Sequence, residues 1–186
     1  MHIHKRTLLV GGIGLLVVLG VWYAMVGTSS GSLVVLETSK GVIEIMLAKD
    51  MPLTTGNFVT LVQQGLYDGT RFHRVIEGFM IQGGDPLSKD VSKARLWGTG
   101  GSAAIKDEFG SLKNIPGTIA MANAGPNTGS SQFFINTADN SFLNGKHPVF
   151  GTVTKGMDVV DAISGTETNA QDRPLEDVII VKAYMK

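Results

Sequence analysis

Two segments of the sequence carry side chains that could bind and polarise a peptide group. The first is FHRVIEGFMIQGGD, residues 72–85, and the second is MANAGPNTGSSQFFI, residues 121–135. Arg74 is always charged and presents N–H donors on a rigid fork, whereas Phe79 and Met80 offer apolar surface. The combination is typical of a binding cleft. Without further context it also fits a surface arginine paired with an acid, beside ordinary core residues.

Several other chemistries lack the residues that they need. The chain has no cysteine, which excludes thiol catalysis and thiolate-bound metal, and its four histidines are scattered without the spacing of a metal site. We therefore predict no metal site. Residues 98–101 are glycine-rich, but no Gly-Lys-Ser/Thr follows, so we interpret them as a loop lining a substrate groove rather than a phosphate loop. Ser130 and Ser131 lack the Gly-x-Ser-x-Gly frame of serine hydrolases.

Composition indicates a folded domain that does not bind nucleic acid. Apolar residues make up 43% of the 186 residues, enough for a packed core. The 16 basic and 16 acidic side chains balance, whereas phosphate binding draws on clustered Lys and Arg. The 24 glycines favour many turns and shaped loops, as in an all-β protein.

The N-terminal segment predicts a membrane span. Residues 8–26 carry no charged side chain, and at about 1.5 Å per residue they nearly cross the hydrocarbon core of a bilayer. Lys5 and Arg6 precede them and the next basic residue lies far along the chain, which places the N-terminus in the cytoplasm and the remainder outside. We expect residues 1–27 to be a cytoplasmic tip and transmembrane signal anchor, and residues 28–32 a linker. A signal peptide cleaved during secretion and a buried helix are the alternatives.

Residues 33–186 contain no repeat and are interpreted as one domain. Short apolar runs bounded by turn residues predict strands at residues 33–38, 42–47, 71–75, 79–83, 118–122, 132–136, 149–153 and 178–184. Helices are predicted at residues 52–64, which begin with proline, and at residues 157–163. Residues 85–116 are polar and glycine-rich, which predicts long loops. The pattern favours a mainly β fold, an antiparallel barrel with helices covering its ends.

The segments at residues 72–85 and 121–135 resemble the signature segments of cyclophilins. Further similarity lies in GTGG at residues 98–101, NF at 57–58, YDGT at 67–70, LNGKH at 143–147 and VFG at 149–151. These elements recur in order across nearly all of residues 33–186. The sequence is therefore identified as resembling a cyclophilin-type peptidyl-prolyl cis–trans isomerase.

The resemblance implies a closed eight-stranded antiparallel β-barrel capped by two α-helices, here preceded by one predicted transmembrane helix. It also implies an enzyme without metal or cofactor. The family's catalytic positions correspond here to Arg74, Phe79, Gln82, Phe134 and His147. Its substrate-binding positions correspond to Met80, Ala122, Asn123, Gln132, Phe142 and Leu143. Phe142 stands where many eukaryotic members carry tryptophan, a departure that resembles bacterial members.

These residue types suit rotation about the bond that precedes proline. The barrier of about 18–20 kcal/mol is lost amide resonance, and an apolar pocket favours the twisted, less polar transition state. Phe79, Met80, Phe134 and Leu143 can supply such a pocket. Arg74 can stabilise the nitrogen lone pair that appears on twisting, and a hydrogen bond to a charged group contributes about 1.5–3 kcal/mol.

Two functions are consistent with the sequence. The first is an isomerase that assists the folding of extracytoplasmic proteins, either at a membrane or secreted after cleavage of the leader. The second is a chaperone or scaffold module that binds proline peptides and whose catalysis is incidental. In both cases the expected partners are proline-containing polypeptides, and we expect a monomer.

Overall fold

The computed structural model describes residues 32–186. The predicted anchor at residues 1–27 and the linker up to residue 31 lie outside the described residues. Among residues 32–186, no helix has both the length and the apolar character that crossing a bilayer requires.

Eight strands and two α-helices make up the described part of the chain. The strands are β1 (Leu33–Thr38), β2 (Gly41–Leu47), β3 (Arg74–Ile76), β4 (Met80–Gly83), β5 (Thr118–Met121), β6 (Phe133–Asn136), β7 (Val149–Lys155) and β8 (Ile180–Met185). The helices are α1 (Pro52–Gln63) and α2 (Met157–Ser164). Every predicted strand and helix is present, and the ends coincide or shift by one or two residues, except that β3 begins three residues later than predicted. The predicted loop region also contains two short 3-10 helices, Pro86–Lys89 and Val91–Leu96.

The strands form one antiparallel sheet in the order β3-β4-β6-β5-β7-β2-β1-β8. The sheet curls into a barrel, but β3 and β8 do not pair as strands. An isolated bridge between Arg71 and Ile179 spans this seam, and the Phe72 N–H donates to the Val178 carbonyl at 2.9 Å. The prediction of a fully closed barrel is wrong in this respect. The N–H of Arg71 donates to the Ser88 hydroxyl at 2.9 Å, and regular pairing of the predicted strand begins at Arg74.

Alternation along the strands separates two apolar clusters. The larger fills the barrel and includes Phe58 of α1, which packs its ring 5.1 Å from Phe150 and 5.6 Å from Phe133. The smaller lies on the outer face of the sheet, where Phe134 packs with Met80 and other residues of β4, β5 and β7. We call these the inner cluster and the outer cluster. The outer cluster is the floor of the candidate site.

Candidate active site

A cavity of about 140 Å³ opens beside the outer cluster. Its lining brings together most of the predicted site residues, namely Arg74, Phe79, Met80, Gln82, Ala122, Asn123, Phe134, Leu143 and His147. They come from β3, β4, β6 and three loops, and the fold alone brings them together. The remaining predicted residues, Gln132 and Phe142, lie next to this lining rather than in it.

Strand register explains how the side chains share one face. Arg74 pairs with Gln82 across β3 and β4, and Gln82 pairs with Phe134 across β4 and β6. Directly paired residues point to the same side of a sheet, so the three form a row across neighbouring strands. The row ends at Ala120, the partner of Phe134 on β5, whose small side chain leaves room above the sheet.

The guanidinium of Arg74 lies at the lip of the cavity and keeps most of its donors available. Its Nε contacts Asp172 Oδ2 at 3.3 Å, and both side chains are 43% exposed. Within residues 32–186, its terminal NH₂ groups donate to no protein acceptor. Asp172 is held in a left-handed backbone conformation (φ 60°), and its carbonyl accepts from the Val75 N–H at 2.8 Å.

Sequence reasoning missed Asp172. It lies in a turn 98 positions from Arg74, and a lone acid among turn residues carries no signal of such a contact. The pair matches the simplest interpretation of Arg74, a half-exposed arginine paired with an acid, and at the same time leaves the fork turned to the cavity. A half-exposed ion pair adds little stability. Its effect here is to orient the guanidinium.

A second cavity of about 520 Å³ adjoins the first and shares Gln82, Ala122 and Asn123 with it. Gln132 lines this second cavity and accepts from the Gln82 amide at 2.9 Å. Its own amide donates to the carbonyls of Gly98 and Gly100, at 3.0 and 2.6 Å. The glycine loop of residues 98–101 therefore forms a wall of the groove.

Asp85 fixes that glycine loop from below. Its carboxylate is fully buried and accepts from the N–H groups of Gly98 and Gly100 at 2.5 and 3.2 Å. A Cβ on Gly100 would collide with the same carboxylate, so only glycine fits there. The position of the loop is thus set by a buried charge satisfied by backbone donors.

On the opposite side, His147 packs its ring edge against Phe134, with ring centroids 5.5 Å apart. Its Nδ1 lies 3.1 Å from the Met121 carbonyl. The Asn123 side chain donates to the Lys146 carbonyl at 2.8 Å, which joins the two loops. Within the described part of the chain, the backbone N–H and carbonyl of Asn123 make no hydrogen bond and are free to pair with an extended peptide.

Phe142 marks the rim. Its side chain is 64% exposed and stacks on Phe79, with centroids 6.0 Å apart and planes 19° apart. It thus extends the apolar wall outwards without lining the cavity. Across residues 32–186, no cluster of His, Asp or Glu side chains has the arrangement needed to hold a metal ion.

Comparison with known proteins agrees with this geometry. Residues 33–185 match the family described as "Cyclophilin type peptidyl-prolyl cis-trans isomerase/CLD". Peptidyl-prolyl cis-trans isomerase-like 1 of Bos taurus is 46% identical over 154 residues, which cover 81% of this chain and 90% of that protein. The Homo sapiens protein of that name matches to the same extent.

Solved structures show the same fold. A Cryptosporidium parvum cyclophilin type peptidyl-prolyl cis-trans isomerase superposes with a TM-score of 0.77 at 30% identity, covering 84% of this chain and 98% of that one. A second crystal structure of that protein, in the presence of the dipeptide Ala-Pro, gives a TM-score of 0.76 at 31% identity. The chain therefore belongs to the cyclophilin-type peptidyl-prolyl cis–trans isomerases.

Proposed function

We propose that this isomerase binds the proline of an extracytoplasmic polypeptide in the cavity beside the outer cluster and assists the folding of that polypeptide. The observation that carries the assignment is a guanidinium with free donors at the lip of a small apolar cavity. Uncatalysed X–Pro isomerisation takes tens of seconds or longer, which is slow enough to limit folding. A catalyst that met chains as they emerged would remove that limit.

The lining divides the work of catalysis. Phe79, Met80, Phe134 and Leu143 exclude water from the proline ring, which favours the twisted amide because its charge separation is smaller. The free NH₂ groups of Arg74 stabilise the nitrogen lone pair of that state. At about 1.5–3 kcal/mol, this contact accounts for one to two powers of ten in rate.

Positioning supplies the remainder of the acceleration. The Asn123 backbone and the Gln82 amide lie on the side of the second cavity, where the substrate chain preceding the proline would run. His147 holds its ring against Phe134 and lines the pocket, and no proton transfer is required of it. The rotating bond is thereby held between fixed groups while its two ends turn.

Substitution of Arg74 tests the mechanism. With the purified full-length chain, we expect Arg74→Ala to lower kcat/KM for a proline tetrapeptide more than about tenfold, with an unchanged circular dichroism spectrum. Arg74→Lys keeps the positive charge but loses the planar guanidinium, so its kcat/KM should lie between those of the parent and of Arg74→Ala. Arg95→Ala, at an exposed arginine of the second 3-10 helix, is the matched control. A folded Arg74→Ala protein with parent activity would refute the role of Arg74.

The same variant separates an enzyme from a binding module. A chaperone or scaffold that merely held proline peptides would keep its capture of an unfolded client when Arg74 is removed. If Arg74→Ala abolishes turnover and also the acceleration of client refolding, catalysis is the function. If the variant still accelerates the refolding of the client, binding is the function.

Extracytoplasmic action at a membrane is the second part of the proposal. It is supported by the uncharged residues 8–26 behind Lys5 and Arg6.

Mass spectrometry of the mature protein from membrane and soluble extracytoplasmic fractions tests this part. A membrane-bound product that retains the peptide containing Lys5 and Arg6 supports the anchor. A start near residues 29–32 in the soluble fraction supports secretion after cleavage. An intact chain recovered from the cytoplasm would refute extracytoplasmic action.

A further inference from the structure

A row of buried amide side chains lies behind the proline pocket. Asn114 and Asn136 are fully buried, and Asn140 is 2% exposed. None of the three lines the cavity. An asparagine has two donors and a carbonyl acceptor, and leaving them unpaired in the interior is costly, so their partners must be accounted for.

Their hydrogen bonds run in one direction. Asn140 Nδ2 donates to Asn136 Oδ1 at 2.8 Å. Asn136 Nδ2 in turn donates to Asn114 Oδ1 at 3.2 Å and to the Thr118 hydroxyl at 2.9 Å. Bonds aligned head to tail polarise and strengthen one another, so the row behaves as one unit. We call Asn114, Asn136 and Asn140 the amide row.

The two ends of the amide row reach two separate segments that form walls of the pocket. At one end Asn140 Nδ2 also donates to the carbonyl of Phe79, at 2.7 Å. At the other end Asn114 Nδ2 donates to the carbonyl of His147, at 3.3 Å. Phe79 and His147 both line the cavity. The row therefore connects the backbones that carry the two walls.

The amide row also anchors the turn between these walls. Asn140 precedes the 3-10 turn Ser141–Leu143, and its N–H donates to the Asn114 carbonyl at 2.9 Å. Asn144, which follows the turn, accepts at its Oδ1 from the backbone N–H of Asn114 at 2.9 Å. The segment that carries Leu143 is thus held at both ends by one residue, Asn114.

Stability alone does not explain this arrangement. A buried polar row is seldom more stabilising than apolar packing of equal volume, but it fixes geometry because its bonds have direction. Here the fixed geometry is the separation between the walls of a pocket. On the side of the cavity, the outer cluster is covered only by partly buried side chains such as Phe79 and Leu143, which leaves this separation to the hydrogen bonds.

We propose that the amide row is a positioning device that sets the width of the proline pocket to the five-membered ring. The inference rests on the proposed role of the cavity as the proline site. Its members touch no substrate and act through Phe79, Leu143 and His147. Breaking the row lets the walls move apart, which weakens the grip on proline and relaxes selection against a larger ring.

The test uses two peptides of one sequence, one with proline and one with its six-membered homologue, pipecolic acid. Asn136→Leu in the full-length chain keeps the volume and deletes the central link. We expect kcat/KM for the proline peptide to fall about tenfold, chiefly through KM, because walls displaced by a fraction of an ångström misplace the ring. We expect the preference for proline over pipecolic acid to fall at least about threefold.

Two further variants make the outcome decisive. Asn140→Ala cuts only the Phe79 end and should shift the preference in the same direction by a smaller amount. Thr70→Val is the control: it deletes a buried hydroxyl that donates to the Tyr67 carbonyl at 2.6 Å, near the seam and outside the site. We expect it to lower the Tm while leaving both kinetic quantities within about twofold of the parent.

An unchanged ring preference in folded Asn136→Leu would overturn the proposal and leave the row a purely structural feature. Should that variant not fold, the ring preference of Asn140→Ala decides by the same criterion. Failure of the proposed function is seen separately, because the parent chain would then not accelerate the proline peptide at all.

Discussion

Phe133 and Phe134 are neighbours on β6, and both are almost fully buried, yet they belong to different regions. Phe133 points into the barrel and meets aromatic rings on three sides: Phe58 and Tyr67 at 5.6 Å and Phe72 at 6.2 Å. Phe134 points outwards to the pocket and meets the edge of His147. One strand thus supplies the inner cluster with one residue and the candidate site with the next.

The comparison shows that apolar residues stabilise or bind according to what closes around them. The inner cluster draws on strands from around the barrel and on both helices, so its side chains are enclosed on every side. The outer cluster is covered only by partly buried side chains, among them Phe79 and Leu143, and the cavity opens between them. Its missing contacts form the cavity, and a proline ring can provide them, which is why burial there becomes available for binding.

We expect the largest effects from replacing each of the two phenylalanines, with stability lost at Phe133 and activity lost at Phe134. Phe133→Ala should lower the free energy of unfolding by about 3–5 kcal/mol, because it leaves a void among packed rings. Phe134→Ala should cost less, since the space joins an existing opening, but it should lower kcat/KM more than about tenfold. Urea denaturation and the tetrapeptide assay measure the two quantities. Equal losses of stability, with activity reduced alike, would contradict the distinction.

Two aspartates that pair with arginines, one beside the seam and one at the cavity, allow a second comparison with a smaller expected effect. Asp177 contacts Arg71 Nε at 2.7 Å beside the seam, whereas Asp172 contacts Arg74 Nε at 3.3 Å at the lip of the cavity. Arg71 also donates to the carbonyls of Ser88 and Lys89 and lies over the Trp97 ring. It is held on all sides, whereas Arg74 is not.

We expect Asp177→Asn to lower the free energy of unfolding by about 1–2 kcal/mol with unchanged kcat/KM, since its partner is a structural arginine. Asp172→Asn should change stability by less than about 1 kcal/mol because the pair is half exposed. It should nevertheless lower kcat/KM about threefold by releasing the guanidinium. If the aspartates exchanged these effects, Asp172 would be structural and Arg74 would need no partner.

Much of this molecule could be predicted from its sequence. Alternation and turn residues indicated every strand, and the resemblance indicated the residues that line the cavity. Phe134 is an example: the strand pattern alone made it an ordinary core residue, and the family motif made it a pocket residue. The N-terminal anchor stays a prediction, since it lies outside residues 32–186.

What the sequence did not give depends on contacts between distant segments. Asp172 and Asn140 look like ordinary turn residues, because their type suits a turn whether or not a partner lies beyond it. The open seam depends on residues 69–72, which meet residues 178–180 through three backbone hydrogen bonds and one isolated bridge but form no regular strand pair. A single sequence carries no signal for such contacts, because each of the two residues also fits its own local segment without the distant partner.

The smallest expected effect concerns His73, the neighbour of Arg74 on the buried side. His73 is 6% exposed, lies beneath Gly98, and within residues 32–186 neither ring nitrogen has a hydrogen-bond partner. Burial lowers its pKa below the usual value near 6.5. The carboxylate of Asp85 and the nearby backbone of Arg71 oppose that lowering of the pKa, whereas the charges of Arg173 and Arg74 add to it. The imidazole is therefore neutral in the fold.

A lowered pKa means that the unfolded chain binds the proton first as the pH falls. The contribution of His73 to stability is complete above about pH 6.5 and is lost progressively below it, down to the lowered pKa of the folded state. Carboxyl groups whose pKa is lowered, such as Asp50, titrate below this pH range and do not contribute to the change in stability within it. We expect the free energy of unfolding to decline between about pH 7 and 5, and the decline to be shallower in His73→Gln. Urea titrations at several pH values measure it, and parallel curves for parent and variant would show that His73 carries its charge inside the fold.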